Sequence, residues 1–177
     1  MSLAAKSLLL IAVLGLAACN NPDRYGAGAG GAGGAGGAGG AGGIDTTGLG
    51  DPNNPTSIAY FNQTVGDRVL FAVDQSTLSP EGRAVLTRQA QWLMTNPGYA
   101  AIIEGHADEQ GTREYNLNLG AKRAAAVQNF LISQGVPAGR LRTISYGKER
   151  PLEVCSEEAC YAKNRRAVTV LSAGAGV

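Results

Sequence analysis

Residues 99–135 read YAAIIEGHADEQGTREYNLNLGAKRAAAVQNFLISQG. Tyr99 to Glu104 is short, apolar and β-prone, and Asn96-Pro97-Gly98 precedes it as a stop signal, so it predicts a strand. The polar loop Gly105 to Gly111 follows. From about Arg113 to Gln134, Leu119, Ala126, Val127 and Phe130 mark one apolar helical face, and Gly135 and Pro137 close the helix. The stretch therefore predicts a strand that leads through a polar loop into a long helix.

The flanks repeat the alternation. Arg68 to Val73 predicts a first strand. Ser79 and Pro80 suit the N-cap and first position of a helix whose stripe is Leu86, Ala90 and Leu93, with Val85 and Gln89 alongside. After the long helix, Leu141 to Tyr146 predicts a strand ending at Gly147. Ser156 to Asn164 predicts a short helix, and Ala167 to Leu171 a last strand. Strands alternating with helices predict an α/β (α+β) sandwich, with helices packed against a small mixed β-sheet. The pattern does not set the order of the strands.

The chain has 177 residues, with 15 Lys+Arg against 14 Asp+Glu, so it has no basic surplus for nucleic acid. One His and three Cys leave almost no material for a zinc cage, and the sequence implies no metal and no cofactor. Residues 1–18 read as a signal peptide. Lys6 is its positive end, and Leu8 to Leu16 is an apolar run too short to span a bilayer, which takes about 20 residues. Leu16-Ala17-Ala18-Cys19 resembles the lipobox of bacterial lipoproteins, and the resemblance implies that Cys19 is the acylated new N-terminus. With Asn20 in second place it also implies sorting to the outer membrane, with the folded part facing the periplasm. An ordinary cleaved signal is the plainer alternative.

Residues 19–59 read as a lipidated N-terminus and flexible linker. Gly26 to Gly43 contains only Gly and Ala and has no side chain that could offset its ordering entropy. It contains G-x-G-x-x-G at Gly28, Gly30 and Gly33, but no strand precedes it and no helix follows, which removes a dinucleotide site. As a coil, the 40 residues from Asn20 to Ala59 would span roughly 35 Å. Residues 60–173 then form the folded domain.

Two features carry chemistry. Arg123 sits four residues after Leu119 and four before Val127, inside the apolar stripe. It is either a structural or snorkelling arginine, or a planar fork aimed at a carboxylate. The second feature is Glu104-Gly-His-Ala-Asp108-Glu-Gln-Gly111, placed where α/β folds build ligand sites. His106 reads either as a satisfied structural side chain or as one standing beside a ligand. No second His and no Ser or Cys nucleophile arrangement accompanies it.

The run from Glu104 through Asn116, Leu119, Arg123 and Ala124 to Val127 strongly resembles the OmpA-like peptidoglycan-binding family. Ser145 to Pro151 and Lys163 to Val168 extend the resemblance, which covers about Val69 to Leu171. It implies that Asp108 meets the ammonium of diaminopimelate in the wall peptide and that Arg123 meets its carboxylate. It also implies that Asn116 and Leu119 belong to the binding helix and that Asp74 lines the groove. Ala72 and Val73 stand where the family has Asp and Phe, which puts contacts from that strand end in question. Asn164, Arg165 and Arg166 resemble a motif that is part structural and part pocket edge. The implied partners are peptidoglycan, TolB and TolA, and the implied role is a non-enzymatic tether.

Cys155 and Cys160 are five apart, and export makes a disulfide the expected state, with two free buried thiols as the alternative. Two rival functions stand beside the tether. One is a wall hydrolase or amidase using Glu104, His106 and Asp108. The other is a flagellar-stator wall anchor, which requires a spanning helix bearing an ion-carrying Asp.

Overall fold

The computed structural model describes residues 48–154 and 156–173. The leader, Cys19, the Gly26–Gly43 tract, and Cys155 with its expected bond to Cys160 lie outside the described residues.

Among the described residues, ten elements follow one another. Helix α1, Ile58–Tyr60, is one turn capped by the Ser57 hydroxyl and runs on into a wide π-type turn, Phe61–Gly66. Strand β1 is Arg68–Leu70, helix α2 Pro80–Thr95, strand β2 Tyr99–His106 and helix α3 Arg113–Ser133. A 3₁₀ turn, Ala138–Arg140, leads into strand β3, Leu141–Gly147, which is followed by helix α4, Glu158–Asn164, and strand β4, Arg166–Ala173. The predicted α/β sandwich is the one observed.

The four strands form one mixed sheet in the order β1-β4-β2-β3. Strand β4 runs antiparallel to both β1 and β2, whereas β2 and β3 are parallel. Parallel strands need a crossover, and α3 is that crossover, which places it against β2 and β3. Tyr99, Ala101 and Ile103 alternate inward from β2, while Ile102 faces out half-exposed. Leu86, Ala90 and Leu93 of α2 and Ala124, Val127 and Leu131 of α3 meet those residues in one core.

The chain ahead of residue 60 takes part in this core. Phe61, Trp92 and Tyr99 stack in series with ring centroids 5.0 Å apart. Their polar ends are satisfied by backbone: Trp92 Nε1 donates to the Pro55 carbonyl and Tyr99 Oη to that of Thr56, both at 2.8 Å. Each such ring pair contributes about 0.5–1.5 kcal/mol beyond its burial. Arg140 donates to the carbonyls of Leu93, Asn96 and Tyr99, which fastens the end of α2 to the start of β2.

Several boundaries differ from the sequence expectation, and the last strand runs Arg166–Ala173 where Ala167 to Leu171 is predicted. The first strand ends at Leu70 instead of Val73, because the next carbonyls turn inward to meet Arg123. Strand β2 continues past Glu104 to His106, whose carbonyl Arg123 also holds. The last helix begins at Glu158 rather than Ser156.

Helix α3 lies unusually close to β2. A Cβ on Gly105 would stand 1.8 Å from the Gly120 carbonyl oxygen, and one on Gly120 would stand 2.4 Å from the Ser145 hydroxyl. Only a pair of glycines allows this approach. Gly105→Ala must push the helix away and is expected to cost about 3 kcal/mol, lowering Tm by about 10 °C. Gly139→Ala, where a Cβ meets nothing within 4 Å, should leave the melting curve nearly unmoved. Equal melting temperatures for the two variants would refute this account of the packing.

Candidate ligand-binding site

The close seat of α3 brings its first turns against the loop that leaves β2. Thr112 caps the helix by accepting from Tyr115 N. Asn116, one turn in, is buried and donates through Nδ2 to the Gln110 carbonyl at 2.7 Å. The loop is fastened from other sides as well. Ala107 N donates to the Gly147 carbonyl at 2.8 Å, Lys148 Nζ to that of Gly111 at 2.7 Å, and Asn164 Nδ2 to Glu109 Oε1 at 2.8 Å. Gly111 takes the positive φ of 92° that the turn into α3 needs.

Asp108 is held inside this frame. Its Oδ2 accepts from Arg165 Nη1 at 3.0 Å, and its Oδ1 accepts from Gln110 N at 3.3 Å. Arg165 also donates to Glu158 and to the Phe71 carbonyl. Burial alone would lower the pKa of this guanidinium, but its bonds to Glu158 and Asp108 outweigh burial and hold it above its ordinary value. Asp74 stands opposite, in the left-handed backbone region at φ 57°, and accepts from the Tyr115 hydroxyl. A non-glycine residue there is strained by the order of 1 kcal/mol, and the tertiary bonds hold it in place.

A pocket of about 250 Å³ opens between these groups, walled by Asp74, Asp108, Asn116, Leu119, Tyr115 and Gln110, with Val73 and Gly111 completing it. Asn116 Oδ1 faces no partner although the side chain is buried. Two carboxylates, those of Asp74 and Asp108, converge on one space. That pair suits an ammonium group, to which both carboxylates offer acceptor oxygens.

Four of the residues expected at the site therefore meet in the pocket: Asp74, Asp108, Asn116 and Leu119. Arg123 is not on its lining. It is fully buried, with Nε on the Gln75 carbonyl at 2.8 Å, Nη1 on that of His106 at 2.8 Å and Nη2 on that of Ala72 at 3.1 Å, and it lies over the Phe71 ring. Burial pushes its pKa down to about 10, against the pull of Asp108, and it remains a cation at neutral pH. His106 is not on the lining either. Its ring packs on Tyr146 with centroids 5.6 Å apart, and neither ring nitrogen makes a hydrogen bond. Glu104 Oε2 is 3.5 Å from Nε2, too far for a strong bond. Sequence reading placed Arg165 only at the pocket edge and missed Tyr115 and Gln110. Tyr115 had a signal, since it neighbours Asn116 in the first turn of the predicted helix.

Comparison with known proteins establishes the family. The model of the OmpA family matches residues 70–165, which run from the last residue of β1 through α4 and hold every residue of the pocket. The chain belongs to the OmpA family. It is 55% identical to the peptidoglycan-associated lipoprotein of Agrobacterium fabrum over 132 residues, 73% of this chain and 74% of that one. It is 37% identical to the peptidoglycan-associated lipoprotein of Haemophilus influenzae, covering 92% of this chain and 95% of that one. The crystal structure of the peptidoglycan-associated lipoprotein from Burkholderia pseudomallei aligns with TM-score 0.61 and 38% identity, over 69% of this chain and 100% of that one. The C-terminal domain of Helicobacter pylori MotB aligns with TM-score 0.57, over 62% of this chain and 86% of that one. At 22% identity that likeness shows the fold alone.

This OmpA-family domain carries a pH-sensitive group beside its site. Burial, with the charges of Arg166 and Arg150, pushes His106 from its ordinary value near 6.5 down to about 4. The unfolded chain binds the proton that the folded ring refuses. The stability held by neutral His106 is therefore whole above about pH 6.5 and is lost as pH falls toward 4, by about 3 kcal/mol in all. His106→Gln removes the titration and should flatten the fall of Tm between pH 7 and pH 4.5. Parallel Tm–pH curves for the variant and wild type would contradict it.

Proposed function

We propose that this protein is a lipoprotein of the outer membrane that binds peptidoglycan noncovalently from the periplasmic side, without catalysis, as part of the Tol–Pal system. Diaminopimelate of the wall peptide enters the pocket. Asp74 and Asp108 receive its ammonium, Asn116 holds the loop that carries Asp108, and Leu119 covers the ligand's chain. The convergence of these acceptors on a single pocket, on residues of the resembled motif, supports the reading most directly. Relatives more than half identical to this chain bear the name peptidoglycan-associated lipoprotein. We assign Arg123 the task of holding the pocket rim, because three of its five N–H groups already bind the carbonyls of Ala72, Gln75 and His106.

The anchor is acylated Cys19, and the Gly/Ala tract is the leash that lets the domain reach the wall. TolB and TolA are the protein partners, and the combined role is envelope integrity during growth and cell division. Cys155 and Cys160 form a local disulfide that staples the segment ahead of α4 and takes no part in binding. The hydrolase reading is disfavoured by geometry: Glu104 and His106 stand together, but neither lines the pocket that Asp108 faces.

Purified wall pull-down, beside a melting curve for each variant, tests the site. Asp108→Asn removes the anion and keeps the shape. It should weaken wall binding roughly 10- to 150-fold, the range expected for one charge-assisted hydrogen bond. Free diaminopimelate should compete with the wall. Arg123→Lys keeps the charge but loses the planar fork, and should reduce both wall binding and Tm, since the rim loosens. Near-normal wall binding by folded Asp108→Asn protein sinks this site.

Cys19→Ala tests the anchor separately. The variant should leave outer-membrane fractions while its domain still binds isolated wall. Retention in the membrane as firm as that of wild type would disprove lipid anchoring at Cys19.

A further inference from the structure

The ammonium pocket is one end of a longer groove. A second cavity of about 590 Å³ shares Asp74, Tyr115 and Leu119 with it and continues along α3 to Ser76, Asn118 and Lys122. Tyr115, Asn118, Leu119 and Lys122 are spaced three and four apart, so they line one face of the helix. At 1.5 Å per residue, the path from Tyr115 to Lys122 rises about 10 Å along the axis. That length matches about three residues of extended peptide, at 3.3–3.6 Å each, and exceeds one amino acid.

The groove has two electrical ends. Asp74 and Asp108 make one end acidic. Among the described residues lining the two cavities, Lys122 is the one cation. It is exposed and makes no ion pair or hydrogen bond among the described residues. Arg123, the next residue, is sealed on the other side of the helix face by its three carbonyls. A carboxylate lying in the groove one residue or more from the held ammonium therefore finds Lys122, flanked by the hydroxyl of Ser76 and the amide of Asn118.

We propose that Lys122, with Ser76 and Asn118, forms a second subsite that binds a carboxylate of the wall peptide, so that the domain recognises a dipolar segment of about three residues and not diaminopimelate alone. This inference rests on the wall-peptide reading of the pocket. It makes Lys122 a specificity-determining residue for peptide length and charge. Because Lys122 is solvated, the contact is a point-charge attraction that salt screens.

The test uses the mature full-length protein and two probes, free diaminopimelate and a wall tripeptide ending in diaminopimelate, measured by calorimetry. Wild type should bind the tripeptide more tightly than the free amino acid, and the ratio should shrink at high salt. Lys122→Ala should reduce that ratio about three- to tenfold, as fits one exposed charged contact. Lys122→Glu should reduce it further, and Lys122→Arg should keep most of it. Melting curves should stay level across the series, because the side chain is exposed. An unchanged ratio in Lys122→Ala and Lys122→Glu, with tripeptide binding intact and still weakened by Asp108→Asn, overturns the subsite and leaves the pocket standing. Failure of wild type to bind either probe or the whole wall overturns the pocket and the subsite with it.

Discussion

A guanidinium inside a protein is tolerated only where its N–H groups find acceptors, since desolvating a charge without partners costs several kcal/mol. Arg123 meets that demand with the carbonyls of Ala72 and Gln75, which belong to one turn after β1, and of His106 at the end of β2, which only the fold brings beside them. Because those carbonyls must turn toward α3, β1 cannot run on past Leu70. The segment after it bends back over the helix and carries Asp74 into a strained left-handed conformation. The Tyr115 hydroxyl then ties that aspartate to α3. One side chain thus joins the end of β1, the end of β2 and the crossover helix, and the pocket is the space left between them.

Close packing supplies the second constraint. Gly105 and Gly120 let the backbone of α3 touch that of β2, and this contact presses Asn116 onto the loop that follows the strand. Asp108 then lies where Arg165 can hold one of its oxygens, leaving the other with a single long bond from Gln110 N. A carboxylate fixed in this way keeps its orientation and still has acceptor capacity for a ligand. Arg165 is itself secured by Glu158 and the Phe71 carbonyl, so α4 and β1 support the site from behind. The acceptors are pre-positioned, and binding need not order them.

Much of this was legible before any coordinates. The strand–loop–helix run from Tyr99 to Gly135 announced itself through periodicity and stop signals, and the structure keeps those elements almost unshifted. Asp74, Asp108, Asn116 and Leu119 were selected by resemblance, and they do share one pocket. Arg123 was conspicuous because a charge interrupted an apolar stripe, but the stripe could not say whether the fork faces a ligand or the backbone. Tyr115 had no signal but its place beside Asn116, and Gln110 had none, since a glutamine near a helix start is an ordinary surface residue. The truncation of the first strand was invisible for a related reason. Arg68 to Val73 is uniformly β-prone, and only a distant arginine draws its carbonyls away.

Local sequence was enough to determine where helices and strands lie, because capping residues, proline, glycine and apolar period act within a few positions. Composition separates an apolar stretch and a Gly/Ala tract from the part with enough apolar residues to bury a core, but the core also takes in residues 55–59, which composition had left with the linker. Tertiary structure decided the order β1-β4-β2-β3, the seat of α3 against β2, and the partners of each buried charge. Those depend on groups dozens of residues apart: Arg123 with Ala72, Asp108 with Arg165, Tyr115 with Asp74. A buried charge takes whichever acceptor the fold brings within about 3 Å, and that choice is made by packing, not by neighbours in the chain.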